Sequence, residues 1–283
     1  MSERILVTGS AGQLAGKIRE LSGTTNELKF IFASKDKLDI TNTSELHRFF
    51  TGEKIDILIN CAAYTNVDGA EEEKKNARDV NVEGLSNLIK ACNKKTKIIH
   101  ISSDYIFDGE KGPYSEDDPT FPINYYGKTK LESENILIGS SLDFLIIRPN
   151  VLYSDNLSKS HFLSWVVNSL SKGEEIKVVT DQVSNPTYIP DLLQVISDTI
   201  LLNFSGILHV GSEDSISRYE FANKISHAFG LKKNLIIPVE SKALNQKAKR
   251  PLNSSLDCSK LQTQMNMELY PVEYGIRRVN LST

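Results

Sequence analysis

Arg4-Ile5-Leu6-Val7-Thr8-Gly9-Ser10-Ala11-Gly12-Gln13-Leu14-Ala15-Gly16-Lys17-Ile18-Arg19-Glu20-Leu21 is an apolar run, a glycine loop and a stretch of helical spacing, in that order. An unbroken apolar run is what a parallel strand needs when both faces of its sheet are covered. Strand, glycine loop and helix together aim backbone N–H groups and a helix N-terminus at one point, an arrangement that holds a pyrophosphate. The spacing is Gly-x-x-Gly-x-x-Ala over Gly9, Gly12 and Ala15, with a small residue at the third position, where helix and strand pack closely. A tight turn with no ligand would also use glycines here. The place of this one, at the head of an alternating β/α pattern, favours a dinucleotide.

Residues 28–33 read as the second strand, and the side chains at its C-terminal end bear on the cofactor. An acidic side chain directly at that strand end would bind a ribose 2′-hydroxyl and point to NAD(H). Here Ser34-Lys35 comes first and Asp36 after it. A hydroxyl and a cation better suit a 2′-phosphate, so NADP(H) is favoured and NAD(H) stays open. Asp39 reads equally as a turn residue or an adenine contact. Residues 55–60 are the third strand, closed by Cys61-Ala62-Ala63-Tyr64, small residues that let a ligand lie against backbone. A helical stretch over 67–93 carries Asn81 at its centre, where asparagine disfavours helix; the side chain must be exposed or tied to something specific. Residues 97–101 form the fourth strand, with Ser102-Ser103-Asp104 where it emerges. His100, alternating with apolar neighbours, reads as a core histidine. Residues 109–122 have the composition of a loop that folds over a site, and 144–148 are the fifth strand.

Between these lies Tyr126-Gly127-Lys128-Thr129-Lys130, entering a helix predicted to run to about 138. Tyr126 and Lys130, four apart, share a helix face. An ammonium beside a phenol favours the phenolate, which makes the tyrosine a proton donor and acceptor nearer neutrality. Ser103 would supply a second hydroxyl to the oxygen that changes charge. Tyr-x-x-x-Lys arises by chance in any long chain; its weight here comes from the strand-end serine and the glycine loop.

After Pro149 the regularity loosens: an amphipathic helix over 160–171 with Trp165, a strand at 176–179, a proline-punctuated loop over 181–190, a helix over 191–202, a strand at 207–210 and a helix over 219–229. The expected fold is α/β, a Rossmann-like doubly wound parallel sheet with a smaller C-terminal domain. Residues 1–150 would bind the dinucleotide and 151–283 mainly the substrate, with segments near 176–210 returning to the sheet. The chain of 283 residues has a net charge of −3 and scattered Lys and Arg, which gives no electrostatic reason to expect nucleic acid or an anionic membrane. No apolar run is long enough to span a bilayer, and no signal peptide precedes the first strand, so a cytoplasmic location is expected. Three widely spaced cysteines, Cys61, Cys92 and Cys258, lack ligand spacing and read as reduced thiols.

Further segments carry a resemblance. They are Leu38-Asp39-Ile40, Asn60-Cys61-Ala62-Ala63-Tyr64-Thr65, Val80-Asn81, His100-Ile101-Ser102-Ser103-Asp104-Tyr105-Ile106-Phe107-Asp108-Gly109, Asn124-Tyr125-Tyr126-Gly127-Lys128-Thr129-Lys130, Asp181-Gln182 and Arg250-Pro251. With the glycine loop, they make the chain resemble an extended short-chain dehydrogenase/reductase, specifically the dTDP-4-dehydrorhamnose reductase family, over nearly its whole length. The resemblance implies that Gly12, Gln13 and Leu14 line the pyrophosphate, Asp39 and Ile40 flank the adenine, and Ala62, Ala63 and Tyr64 line the ribose and nicotinamide side. It implies Ser103, Tyr126 and Lys130 as the catalytic set, Asp104 as a sugar contact, and Asn81 as support for a proton relay through Lys130. The implied reaction is reduction of the C4 ketone of a nucleotide-activated deoxysugar, dTDP-4-dehydro-L-rhamnose first, by a reduced nicotinamide. Two departures stand out. Pro149-Asn150-Val151 replaces the family's Thr-Ser-Trp, so Val151 stands where an aromatic wall meets the sugar, and another deoxysugar is the alternative substrate. Lys17 stands where some members carry a glutamate that binds Mg²⁺ at a dimer interface, so no metal is expected and a homodimer is left open. A non-catalytic NADP-binding regulatory subunit, like the β subunit of methionine adenosyltransferase, is the alternative of another class.

Overall fold

The computed structural model describes residues 3–22 and 28–282. Five strands alternate with helices from the start: β1 (Glu3–Thr8), α1 (Gln13–Ser22), β2 (Leu28–Ala33), α2 (Thr43–Gly52) and β3 (Ile57–Asn60) come first. Next are α3 (Val67–Glu72), α4 (Lys74–Arg78), a π-helical turn at Asp79–Glu83, α5 (Gly84–Ala91) and β4 (Lys97–Ile101). After a 3₁₀ turn at Asp104–Ile106 come α6 (Tyr125–Ile138) and β5 (Phe144–Pro149). β1 pairs in parallel with β2 and β3, β3 with β4, and β4 with β5. Ile5, Leu6 and Val7, Leu58 and Ile59, Ile98 and Ile99, and Leu145 to Ile147 are fully buried, which is why these strands read as unbroken apolar runs.

The second half supplies β6 (Leu152–Tyr153), α7 (Phe162–Ser171), β7 (Ile176–Val179), β8 (Val183–Ser184), β9 (Thr187–Tyr188), α8 (Ile189–Leu201), β10 (Gly206–Val210), β11 (Ile216–Ser217), α9 (Arg218–Ala228), β12 (Ile236–Val239), α10 (Ser259–Met265) and α11 (Val272–Ser282). β10 joins the main sheet, whose order is β2-β1-β3-β4-β5-β10. From β1 the chain steps out to β2 and crosses back to β3 on the other side. That reversal opens a crevice beyond the C-terminal ends of β1 and β3, where open α/β sheets bind ligands.

By compactness the chain forms two units. One comprises the described residues up to 106 with 122–148 and 199–207; the other comprises 107–121, 149–198 and 208–282. The core of the first joins Leu6, Leu46, Leu58, Leu85, Leu88, Ile98, Leu137 and Ile146. In the second, Leu163, Val166, Phe221, Ile225, Val272 and Ile276 close around the buried ring of Tyr153.

Two sequence expectations change. The proposed loop over 181–190 holds β8 and β9 and the start of α8, in which Pro190 is the second residue, a position whose missing N–H costs no helical bond. The single helix over 67–93 is broken twice, at Glu73 and at the π-helical turn that contains Asn81. Among the described residues no helix is long and apolar enough to cross a membrane.

Candidate active site

The glycine loop lies where the crevice begins. Gly9 has φ +63°, and a Cβ there would come within 2.7 Å of the Ala62 backbone. Glycine is therefore required for both conformation and closeness. The Gly12 N–H donates to the Gly9 carbonyl at 2.9 Å, and α1 starts at Gln13 with no acidic side chain in its first turn. Leu14 and Ala15 are buried against the sheet while Gly12 is exposed. An exposed glycine turn at a helix start with no acidic side chain in its first turn suits a pyrophosphate.

Around β2, Lys35 is exposed and the Ser34 hydroxyl bonds the Asp36 carboxylate, which holds that acid below its ordinary value. An exposed cation thus stands at the strand end and the acid is engaged by its neighbour, an arrangement suited to an added phosphate. The Asp39 carboxylate accepts from the N–H and hydroxyl of Thr41 at 2.9 and 2.7 Å, so it builds the turn. Ile40 is buried, and a Cβ on Gly84 would lie 2.6 Å from its side chain. At the end of β3, the Tyr64 N–H donates to Asn81 Oδ1 at 2.8 Å and the Asn81 amide donates back to the Tyr64 carbonyl at 3.2 Å and to Thr129 Oγ1 at 2.9 Å. Asn81 is thus tied to something specific: it fixes the Ala62-Ala63-Tyr64 segment. A π-turn, which places one extra residue in a helix and recurs at functional sites, brings it there.

The helix that carries Tyr126 is positioned from its first turn. Asn124 Oδ1 accepts from the Gly127 N–H at 2.8 Å, and Glu71 of α3 accepts from the Tyr125 N–H at 2.8 Å. Gly127 sits so close to the 3₁₀ turn that a Cβ would lie 2.1 Å from the Tyr105 carbonyl oxygen. That approach brings the Tyr126 phenol into hydrogen-bond contact with Ser103. The phenol is raised above its ordinary value, first by burial and then by the Asp104 charge and Tyr105, against the lowering effect of Ser103. The expectation that Lys130 makes it more acidic is therefore not met in this state; the ring is held as a neutral phenol. Ser103 donates to Asp104 Oδ1 at 2.9 Å and accepts from the Tyr105 N–H at 3.1 Å. The Ser103 hydroxyl thus stands between the phenol and the Asp104 carboxylate. The Tyr126 ring packs with Ala70, Ala77 and Tyr105.

Lys130 is 1% exposed and donates to the Ile101 carbonyl at 2.8 Å. Burial lowers its amine to about 8, against the raising effects of Glu134 and Cys61. Glu134, one turn on, forms a buried ion pair with Arg148 of β5 (2.7 Å) and accepts from the Ser102 hydroxyl. Sequence reading missed this pair and the contacts of His100. The stripe Tyr126, Lys130, Glu134 at i, i+4, i+8 was the available signal. Val151, the proposed sugar contact, lies in the second unit, half-buried against its hydrophobic core. Among the described residues no group of three His, Cys, Asp or Glu side chains is placed to hold a metal ion. The three cysteines are free.

Comparison with known proteins agrees with this geometry. The family described as RmlD substrate binding domain matches residues 3–281. A dTDP-4-dehydrorhamnose reductase of Aggregatibacter actinomycetemcomitans is 32% identical over 278 residues, covering 94% of each chain. The structure of a dTDP-4-dehydrorhamnose reductase from Bacillus anthracis in complex with NADP superposes with a TM-score of 0.94 at 32% identity, covering 100% of both chains. The methionine adenosyltransferase 2 subunit beta of Pongo abelii is 28% identical, covering 98% of this chain and 86% of its own. Site and comparison together place the chain in the dTDP-4-dehydrorhamnose reductase family.

Proposed function

We propose that the protein reduces the C4 ketone of a nucleotide-activated deoxysugar, dTDP-4-dehydro-L-rhamnose, to the alcohol dTDP-L-rhamnose for polysaccharide synthesis, with NADP(H) as cofactor. The observation that carries this reading is the neutral Tyr126 phenol held against Ser103 at the sheet edge, with Lys130 one helical turn away. The residues present fit the dinucleotide: Gly9 and Gly12 with the start of α1 for the pyrophosphate, Ser34 and Lys35 for a 2′-phosphate, Ile40 beside the adenine, and Ala62 to Tyr64 on the nicotinamide side. When bound, the reduced nicotinamide supplies the hydride.

The chain's own part is proton handling and charge. Reduction requires a donor that is protonated at the start, and burial keeps Tyr126 in that form. Tyr126 Oη gives its proton to the ketone oxygen as negative charge grows there, while the Ser103 hydroxyl turns from Asp104 to donate to the same oxygen. The resulting phenolate is stabilised by the Lys130 ammonium, whose lowered proton affinity also lets it return a proton to the tyrosine. Asp104 and Val151 are assigned to the sugar. In this reading the dinucleotide falls to residues 1–150 and the remaining substrate contacts mainly to 151–283. Both ligands are charged nucleotides that do not cross membranes unaided, which supports a cytoplasmic location.

The test is NADPH oxidation with a panel of dTDP-4-keto sugars, in the wild type and Tyr126→Phe. Turnover is expected with dTDP-4-dehydro-L-rhamnose and should fall by about a hundredfold or more in the variant. Undiminished turnover in folded Tyr126→Phe overturns the mechanism. Tight NADPH binding without turnover of any sugar favours the regulatory-subunit reading, which rests on the likeness to the methionine adenosyltransferase subunit.

A further inference from the structure

One row across the C-terminal edge of the sheet is polar. Thr8, Asn60 and His100 are register partners on β1, β3 and β4, so their side chains leave the same face. All three are buried. The Thr8 hydroxyl donates to Asn60 Oδ1 at 2.6 Å, and the Ala62 N–H donates to the same oxygen at 3.3 Å. Those two donors identify the oxygen end of the amide, so the Asn60 amino group faces His100 Nδ1, 3.1 Å away. An amino group only donates. Nδ1 therefore holds the lone pair, and the ring proton is on Nε2. The other side of the ring agrees. Ser133 places its single hydroxyl proton on the Lys130 carbonyl at 2.6 Å, leaving its oxygen to accept from His100 Nε2–H at 3.2 Å. Lys130 Nζ lies 3.4 Å from that same Nε2.

We propose that His100 is a positioning residue for Lys130: locked as the neutral Nε2–H tautomer by Asn60 and Ser133, it turns an N–H rather than a lone pair towards the amine and directs the ammonium onto the Ile101 carbonyl. A lone pair in that place would accept from Nζ and hold the proton on the lysine. An N–H repels it and loosens the proton. Two bases this close in a buried site do not both carry charge, and burial followed by the Lys130 charge keeps the imidazole well below its ordinary range. The other groups facing Lys130 do not replace this role. Glu134 is engaged by Arg148, the Cys61 thiol is pushed up to about 12 and stays neutral, and Tyr126 is a neutral phenol. The proposal deepens the reductase reading and rests on it for its consequence in turnover; the tautomer and the amine can be read without turnover.

The first measurement is ¹⁵N-histidine long-range correlation NMR on the wild-type protein without ligands. A neutral Nε2–H ring at pH 7 for His100 is expected; an Nδ1–H ring or an imidazolium overturns the proposal. The second is a ¹³Cε-lysine titration, with the Lys130 signal assigned by its loss in Lys130→Met. In His100→Gln, whose amide can turn its oxygen to Nζ, Lys130 should titrate at least one pH unit higher. The basic limb of kcat should move with it while the KM for NADPH holds. A Lys130 titration unmoved in folded His100→Gln, whatever its thermal stability, also overturns the proposal. Absence of turnover in the wild type with the expected NMR result would sink the reductase reading alone.

Discussion

Lys130 is an amine housed where its neutral form is favoured, and that has a thermodynamic sign. Its value in the folded protein, lowered to about 8, lies below its ordinary 10.5. Between those pH values the unfolded chain binds a proton that the folded chain does not, so this group makes stability rise with pH across the window. Below it, folding carries a constant penalty on the order of 3 kcal/mol. Lys130→Met is therefore expected to be more stable than wild type at pH 7 and to lose that advantage by about pH 10, while turnover collapses. Urea midpoints at the two pH values check this. At this scale the proposed catalytic set is legible because Ser103 follows a strand end and Tyr126 and Lys130 share one face of the helix that begins at Tyr125. The role of His100 is not. Its burial follows from the alternation in β4, but its partners Asn60 and Ser133 depend on strand register and helix docking, which neither segment encodes alone. Asn81 announced itself as an anomaly in a helix; only the π-turn reveals that it serves Tyr64.

The helix α6 shows why element-level reading is uneven. Its buried face, Tyr126, Thr129, Lys130, Ser133, Glu134 and Leu137, has helical spacing but is mostly polar, so hydrophobic periodicity does not find it. It is held instead by its Asn124 cap, the close approach of Gly127 and two ion pairs, Glu132 with Arg78 and Glu134 with Arg148. Gly127→Ala adds a methyl 2.1 Å from the Tyr105 carbonyl oxygen, so the helix must shift away from the turn bearing Ser103. The expected result is a loss of about 1–3 kcal/mol and a drop in kcat larger than any change in the KM for NADPH. Steady-state kinetics beside thermal unfolding reads both. Arg148→Ala leaves the Glu134 carboxylate buried without its cation and should cost about 3–5 kcal/mol. The double variant Arg148→Met with Glu134→Leu should recover part of that, and denaturant midpoints measure the difference. The helix start at Ile189 escaped the sequence reading because Pro190 looks like a breaker until it is known to lie in a first turn.

For the whole molecule, the regular first half was largely readable, while in the second half α7, β7, α8, β10 and α9 were readable and the shortest strands were not, for one physical reason. Parallel strands buried on both faces leave long apolar runs, whereas β6, β8, β9 and β11 are two residues each, below the length at which alternation can be recognised. The groups assigned to the dinucleotide all lie in the first unit, and binding there stabilises the folded state by mass action. With NADPH at 100 times its Kd, hydrogen exchange by global opening should slow about a hundredfold. Amides of residues 9–16 and 61–64 that exchange by local opening should slow by up to the same factor, while locally opening segments away from the ligand should change little, and exchange mass spectrometry will map the difference. Unchanged exchange in those two segments would place the cofactor elsewhere. Unit boundaries and chain order also disagree in a way that matters during synthesis. The strand at the sheet's far edge, β10, comes after β6, α7, β7, β8, β9 and most of α8, which belong to the other unit. A nascent chain therefore cannot finish its nucleotide-binding platform until the ribosome has released more than two hundred residues, and a premature stop near residue 200 should yield a product with one raw, unpaired sheet margin open to chaperones.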